Sequence, residues 1–195
     1  MTHKYGINAL DWLNVNFKNS NCLARFVTGG KDNLIKIWNI MNNGKVEECL
    51  NALENAHDNS IKIIDTNCNS SSFNNINSNK TDDGNSNKKQ EHAFLSVDID
   101  DTIIIWTESS NNSNTNNSIG YEYKAELVKF NVDQKPMGIT HATWSKDYTF
   151  LSVSNFETTY LYKKIQGEWV IYSSLNNEGT MSNYYSGEGD CEDMQ

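Results

Sequence analysis

The amino-acid sequence predicts an all-β fold built from a four-stranded unit that is present three times. The first reason is a gapless internal repeat: Phe26–Trp38, Phe94–Trp106 and Phe150–Tyr162 each contain an apolar segment, a polar turn and a β-branched segment that ends in an aromatic residue. This pattern is typical of a β-hairpin. The second reason is a further strand-like segment on each side of every hairpin. Repeated units of four antiparallel strands are typical of β-propeller blades.

The flanking strands are predicted from the alternation of apolar and polar residues, as at Ile61 and Ile63. The strands before the hairpins lie in three segments that align without gaps: His3–Trp12, His57–Thr66 and Lys135–Trp144. The strands after the hairpins are expected at Val46–Leu53, Tyr121–Val132 and Glu168–Leu175. Three blades are therefore predicted within residues 1–176, at about 3–55, 57–132 and 135–176.

Two low-complexity segments lengthen the second unit beyond the roughly 40–45 residues that are usual for such repeats. About 30 of the 195 residues are Asn, and many of them lie at about 67–89 and 109–118, where there is little apolar surface to bury. Both segments are predicted to be disordered loops that leave the neighbouring strands intact. Residues 177–195 are predicted to be an acidic disordered tail.

Charge, hydropathy and cysteine spacing argue against several functions. With 25 acidic and 16 basic residues the net charge is −9, and no basic stripe is present to neutralise phosphates, so direct nucleic-acid binding is not expected. Ile103–Trp106 is the longest strongly apolar run and is too short for membrane insertion. The four cysteines lack metal-ligand spacing and are expected to be thiols in a reducing compartment: Cys22, Cys49, Cys68 and Cys191. Neither a metal nor a cofactor is expected.

Several segments resemble known repeat proteins. The Gly-Gly-Lys-Asp-Asn-Leu-Ile-Lys-Ile-Trp string at 29–38, with the segments around Trp106 and Trp169, resembles WD-repeat propellers. Further segments are similar to the Sec-thirteen family, the small propeller of the COPII outer coat and of the nuclear-pore Y complex. These segments are His3–Trp12, Arg25–Trp38, Ala56-His57, Phe94–Trp106, Lys129-Phe130-Asn131 and Gln166–Val170.

The resemblance implies a six-bladed open ring of which this sequence holds three blades, corresponding to the C-terminal half. It implies a non-catalytic scaffold at the cytoplasmic face of the endoplasmic reticulum, on COPII vesicles in ER-to-Golgi transport, and at the nuclear pore complex. In that family the ring accepts a blade donated by a helical-solenoid partner, a Sec-thirty-one-like coat protein or a Y-complex nucleoporin. The alternative is a peptide-reading propeller such as a ubiquitin-ligase substrate receptor.

The resemblance also implies two buried hydrogen-bonded sets, each with a His, a hydroxyl, an Asp and a Trp. The first is His3, Thr28, Asp32 and Trp38, and the second is His57, Ser96, Asp100 and Trp106. A His–Asp–Ser arrangement can also serve nucleophilic catalysis. Because the arrangement occurs twice, it favours a structural role, and no catalytic residue is predicted. The third copy has Lys135 and Phe156 at the His and Asp positions.

The last blade is the predicted partner-binding region because it lacks the polar set and is rich in aromatic residues. The candidates are Phe150, Phe156, Tyr160, Tyr162, Trp169 and Tyr172. The strand at Glu168–Leu175 is predicted to offer an open edge to which a partner strand can add.

Overall fold

A computed structural model describes residues 3–13, 22–48, 53, 57–66, 93–109, 122–130, 135–145, 149–176, 178 and 181–183. In these ranges the chain is all-β, as predicted, and its strands form three antiparallel sheets of four or five strands, each of the kind found in the blades of a β-propeller. No helix that could span a membrane is found in the described part of the chain. The chain divides into two compact units, Met1–Leu127 with the first two sheets and Val128–Gln195 with the third.

Each sheet contains strands that are consecutive in the sequence. The first sheet contains β1 (Ile7–Leu13), β2 (Cys22–Gly30), β3 (Ile35–Met41) and β4 (Val46–Glu48). The second contains β5 (Ile61–Thr66), β6 (Ala93–Asp98), β7 (Ile103–Ser109) and β8 (Glu122–Leu127). The third contains β9 (His141–Trp144), β10 (Phe150–Ser154), β11 (Thr158–Ile165), β12 (Glu168–Asn176) and β13 (Met181–Asn183).

The predicted strands are present, with shorter bounds in places. β4 ends at Glu48 instead of Leu53, although Leu53 still forms a bridge with Ile35. Ser109 belongs to β7 and not to the second Asn-rich segment. The rest of both Asn-rich segments lies outside the described residues, between β5 and β6 and between β7 and β8.

The third hairpin differs in register from the other two. Across the first two hairpins Phe26 pairs with Trp38 and Phe94 with Trp106. In the third hairpin Phe150 pairs with Lys163, and Tyr162 pairs with Leu151. The strand pairing of the third hairpin is therefore shifted by one residue relative to the gapless alignment, and the alignment is wrong there. Because of this shift, Tyr162 lies on the opposite face of its sheet from the face predicted by analogy with Trp38 and Trp106.

The turns explain this difference. Asn33 and Asp101, in the first two turns, have φ values of 64° and 62°. A residue with positive φ lets a hairpin turn hold one extra residue before the strands resume pairing. No residue of the third turn, which runs from Asn155 to Thr158, has positive φ, and the Asn155 N–H donates to the Thr158 carbonyl at 3.0 Å. The third turn is thus one residue tighter.

The core of the first unit lies between the facing sides of its two sheets. The first sheet contributes Leu13, Val27, Ile35 and Ile37, and the second contributes Ile61, Ile64, Phe94, Ile104 and Trp106. Burial of each such side chain contributes about 1.5–3 kcal/mol. Polar contacts flank this core: the Asn8 amide donates to the Ile61 carbonyl at 2.9 Å, and the Thr66 N–H donates to Asp11 Oδ2 at 2.8 Å.

A buried ion pair also joins the two sheets of this unit. Arg25 in β2 and Glu108 in β7 are both buried, and Arg25 Nη1 lies 3.6 Å from Glu108 Oε1. Arg25 Nε also donates to the Asn39 side-chain oxygen at 3.2 Å, which orients the guanidinium toward the second sheet. The pair places two charges of opposite sign in a buried region.

At Gly29 the backbone of the first sheet lies close to Ile61 of the second sheet. A Cβ at this position would overlap Cγ2 of Ile61 and lie 2.7 Å from its Cβ. We expect Gly29→Ala to lower the free energy of unfolding by about 1–3 kcal/mol because the added methyl overpacks the interface. Urea unfolding of the full chain measures this loss. In a double-mutant cycle, Ile61→Ala should partly relieve the effect; strict additivity would show that the methyl does not act through Ile61.

One face of the third sheet is buried, and most of the buried side chains on that face belong to β9 to β12. They are Ala142, Trp144, Leu151, Val153, Tyr162, Trp169 and Ile171. β13 lies at the sheet edge and pairs with Ser173–Leu175 of β12. Met181–Asn183 is therefore a strand, and the prediction of a tail without structure from residue 177 is wrong there. Residues 184–195 lie outside the described part.

Candidate functional site

The structure brings the first predicted set together at one end of the first sheet. His3 precedes β1, Thr28 lies in β2, Asp32 lies in the following turn and Trp38 lies in β3. His3 Nδ1 lies 2.7 Å from Asp32 Oδ1, and His3 Nε2 lies 2.7 Å from Thr28 Oγ1. Trp38 Nε1 donates to the same Thr28 hydroxyl oxygen at 2.8 Å. The set links the N-terminal segment to three strands.

The second set has the same geometry but a different carboxylate. His57 Nε2 lies 2.7 Å from Ser96 Oγ, and Trp106 Nε1 donates to Ser96 Oγ at 2.9 Å. His57 Nδ1 lies 3.0 Å from Oδ2 of Asp98, the last residue of β6. The prediction of Asp100 at this position is wrong. Asp100 is exposed and accepts a hydrogen bond from the Asn59 amide at 2.6 Å.

A glycine explains why the two carboxylates come from different positions. Gly30 of the first repeat corresponds to Asp98 of the second, and a Cβ at Gly30 would overlap His3 Nδ1 and Asp32 Oδ1. The missing side chain leaves room for Asp32 to reach His3 from the turn. In the second repeat Asp98 itself occupies that space. The sequence signal was the Gly-to-Asp difference at the end of the strand, which gapless alignment ignored.

Both carboxylates also accept hydrogen bonds from backbone N–H groups. Asp98 Oδ1 accepts hydrogen bonds from the N–H groups of Asp100 and Thr102, each at 3.0 Å. Asp32 Oδ2 accepts from the Lys4 N–H at 2.8 Å. Each Asp thus binds a histidine and backbone donors simultaneously, which is how a buried acceptor is satisfied.

The third sheet replaces the set with an asparagine that sequence analysis missed. Lys135 is exposed, and Phe156 is 82% exposed at the turn. Asn155 Oδ1 accepts hydrogen bonds from the N–H groups of Glu157 and Thr158 at 2.9 and 2.8 Å. Its amide donates to the Met137 carbonyl at 3.3 Å, which ties the turn to the segment before β9. An Asn directly after a strand is the signal that could have indicated this turn.

The aromatic residues that were predicted to bind a partner differ in how far they are buried. Tyr162 is 0% exposed and packs on Phe130 with 4.7 Å between ring centroids, and Trp169 is 4% exposed. These two residues are core residues, so their prediction as contact residues is wrong. Burial, and to a smaller extent Tyr160, raises the pKa of Tyr162, which keeps its hydroxyl neutral. Phe156 is exposed, and the remaining three are half-buried: Phe150, Tyr160 and Tyr172.

A lysine lies between two of these half-buried rings. Lys163 Nζ is 5.8 Å from the ring centroid of Phe150 and 5.5 Å from that of Tyr172, and the two rings meet edge to face at 5.6 Å. Cation–π contacts of this kind hold a cationic side chain over aromatic surface. The edge predicted at Glu168–Leu175 is partly covered, because β13 pairs with Ser173–Leu175.

Electrostatics differ between the two histidine sets. Burial lowers the pKa of His57 and outweighs the opposing effects of Asp98 and Asp58. At Asp32, burial opposes the shift, but hydrogen bonds from His3 and from the Lys4 N–H, with the charge of His3, lower the pKa of the carboxyl. The folded protein therefore favours a neutral His57 and an ionised Asp32.

These shifts predict that acid destabilises the protein. Unfolded His57 binds a proton at its ordinary pKa of 6.5, whereas folded His57 resists protonation, so stability should decline as the pH falls below 6.5. Urea unfolding at pH 7.5 and 5.5 measures the decline, which should be smaller in His57→Gln. Replacement of the exposed His141 by Gln is the matched control for the loss of an imidazole. An equal decline in wild type and His57→Gln would contradict this assignment.

The buried hydroxyls are unsuited to nucleophilic chemistry. Ser96 is 0% exposed, and its oxygen is already bonded to His57 and Trp106. Thr28 is equally buried and equally engaged. No group of three or more His, Cys, Asp or Glu side chains with metal-binding geometry occurs among the described residues. Cys22 is the one cysteine in these ranges, and its thiol lies 3.2 Å from the Ala24 carbonyl oxygen.

Fold and polar sets together define a class: a partial β-propeller with two blades that are each closed by a His–Asp–hydroxyl–Trp hydrogen-bonded set. No protein-family model matches the sequence, and no curated protein matches it.

Proposed function

We propose that this protein is a non-catalytic scaffold subunit of the COPII vesicle coat and of the nuclear pore complex, which accepts a blade donated by a helical-solenoid partner. The observation that carries the proposal is that both His–Asp–hydroxyl sets are buried and fully engaged in holding strands together. A substrate has no path to either hydroxyl. The polar residues of the two sets instead link strands, as a scaffold requires.

Exposed apolar side chains support partner binding. In the third sheet Phe156 and Met137 are largely exposed, and the Asn155 amide bonds to the Met137 backbone, so the two side chains come from linked turns. Exposed aromatic and Met side chains are favoured at protein interfaces. We propose Sec-thirty-one-like coat proteins and Y-complex nucleoporins as partners, and the cytoplasmic face of the endoplasmic reticulum and the nuclear envelope as locations.

A binding measurement with the full chain tests the proposal. The probes are the donated-blade segment of a Sec-thirty-one-family protein and the equivalent segment of a Y-complex nucleoporin, each measured by biolayer interferometry. We expect Phe156→Ala to weaken binding at least fivefold at equal folded fraction. Leu23→Ala, which removes an exposed side chain from the first sheet, is the matched control. Absence of binding to both segments would contradict the scaffold function, and binding insensitive to Phe156→Ala would contradict the surface.

A further inference from the structure

The turn between β3 and β4 contains the one Asn-Gly pair of the sequence. About 30 residues are Asn, but of the 11 glycines only Gly44 follows an asparagine, Asn43. Asparagine deamidates most readily before glycine, because a residue without a side chain lets its backbone nitrogen approach the asparagine side chain closely. Both residues are exposed, so water reaches them. Sequence and exposure together mark this turn as a site of chemical modification.

The folded turn engages both of the groups that would react. The Gly44 N–H donates to the Met41 carbonyl at 2.8 Å, and the Lys45 N–H donates to Asn43 Oδ1 at 3.0 Å. The hydrogen bond from Gly44 favours the protonated form of a nitrogen that must lose its proton to react. The reaction is therefore slowed as long as this bond persists.

The backbone geometry of the turn also opposes the reaction. Gly44 has a φ of 80°, and the Met41 N–H donates to the Lys45 carbonyl at 2.8 Å, as in a three-residue hairpin loop that ends in a glycine bulge. In loops of this class the residue before the glycine has a ψ of roughly 0°. Ring closure requires Cβ of Asn43 to eclipse the Gly44 nitrogen, and that ψ does not allow it.

The strand that closes this turn is the weakest part of the first sheet. β4 is three residues long, lies at the sheet edge and pairs with β3 alone. Val46 is 51% exposed, and Glu47 is exposed as well. Short edge strands with few buried contacts open at a lower free energy than the whole domain. Separation of β4 from β3 would release the Gly44 nitrogen and the Asn43 side chain together.

We infer that Asn43 is a deamidation site that the β3–β4 hairpin protects and that reacts when β4 separates from β3. The Gly44 nitrogen loses its proton and forms a bond to Asn43 Cγ, and the bond between Cγ and Nδ2 breaks as ammonia leaves with a proton. Water then opens the resulting succinimide. Opening at one carbonyl gives aspartate, and opening at the other gives isoaspartate, in which the main chain continues through the former side-chain carbon.

The isoaspartate product is incompatible with the hairpin turn. It lengthens the main chain between residues 43 and 44 by a methylene group and adds a negative charge near the exposed Glu47. The tight loop cannot hold the longer chain and keep the bond from Gly44 to Met41, so the modification makes the opening of this edge permanent. This inference is independent of the proposed scaffold function.

Peptide mapping of the full chain measures the protection. Folded protein and protein unfolded in guanidinium chloride are incubated at the same pH and temperature, and the tryptic peptide Ile37–Lys45 is analysed by mass spectrometry that separates aspartate from isoaspartate. We expect Asn43 to deamidate at least tenfold more slowly in the folded protein. Asn39 and Asn42 lie in the same peptide before larger residues, and in guanidinium they should react more slowly than Asn43. Equal rates in the two conditions, or no reaction of Asn43 in guanidinium, would overturn the inference.

Variants of β4 test whether opening of the hairpin controls the rate. Glu47→Pro removes a backbone donor from the residue that pairs with Asn39 and leaves the Asn-Gly pair intact. It should raise the rate in the folded protein at least threefold and leave the rate in guanidinium unchanged. Where circular dichroism shows that this variant is unfolded, Val46→Gly, which weakens the strand and keeps its N–H groups, takes its place. Val46→Thr, which retains the β-branched side chain, is the matched control.

Two further outcomes would contradict the assignment. A folded β4 variant that deamidates at the wild-type rate would show that separation of β4 does not control the reaction. Gly44→Ala should slow deamidation at least fivefold in guanidinium, because the added methyl group hinders the attacking nitrogen. An unchanged rate in that variant would show that this nitrogen is not the nucleophile.

Discussion

Arg25→Met is expected to lower the free energy of unfolding by about 3–5 kcal/mol, because it leaves the carboxylate of Glu108 buried without its cation. Both side chains lie at the packed boundary between β2 and β7, where water cannot replace the lost partner. Urea unfolding of the full chain measures the change.

A double-mutant cycle separates the cost of breaking the pair from its net contribution. Arg25→Met combined with Glu108→Leu removes both charges and should recover most of the loss, since apolar replacements of a buried pair are often neutral or stabilising. The exposed pair of Lys45 and Glu47, with 2.8 Å between Nζ and Oε1, is the matched control, and Lys45→Met should cause no measurable change. Additive losses at Arg25 and Glu108 would contradict a direct interaction.

Asp98→Ala is expected to cost about 3 kcal/mol, because it removes a charged acceptor that holds His57 and two backbone N–H groups in a buried region. Asp100→Ala should cost less than about 1 kcal/mol, since that carboxylate is exposed and bonds to the Asn59 side chain. Chemical denaturation of the two variants, two residues apart in one turn, compares them directly. Equal losses would contradict the assignment of the buried carboxylate to Asp98.

The strands were predictable because their signals are local. Alternation of apolar residues and a polar turn lie within a dozen residues of each other, so all three hairpins could be read from sequence. The hydroxyl, His and Trp positions of both sets were also predictable, since the resemblance to WD-repeat propellers implies them. The Asp98 contact was not, because the carboxylate that reaches the histidine depends on the residue at the strand end, which is Gly30 in the first repeat and Asp98 in the second.

The third sheet was the least predictable part for a related reason. The turn after β10 is one residue shorter than the turns of the other two hairpins, and this difference changes the face on which Tyr162 lies. The turn length depends on a backbone φ angle, which the residue type only suggests. Whether Trp169 and Phe156 are buried or exposed depends on packing between distant segments, which repeat alignment does not contain. β13 is three residues long, too short for a periodic pattern.

The absence of a side chain at Gly30 has a consequence for how such repeats can diverge. An aspartate gained at position 30 would compete with Asp32 for the same ring nitrogen of His3, and the two carboxylates would repel each other. The second repeat, which carries an aspartate at both positions, shows how this competition is resolved: Asp98 binds His57 from the strand end, and Asp100 is exposed and accepts a hydrogen bond from the Asn59 amide. A single change at the strand end can therefore transfer the histidine from one carboxylate to the other while the turn aspartate is retained, so the order of substitutions is not constrained.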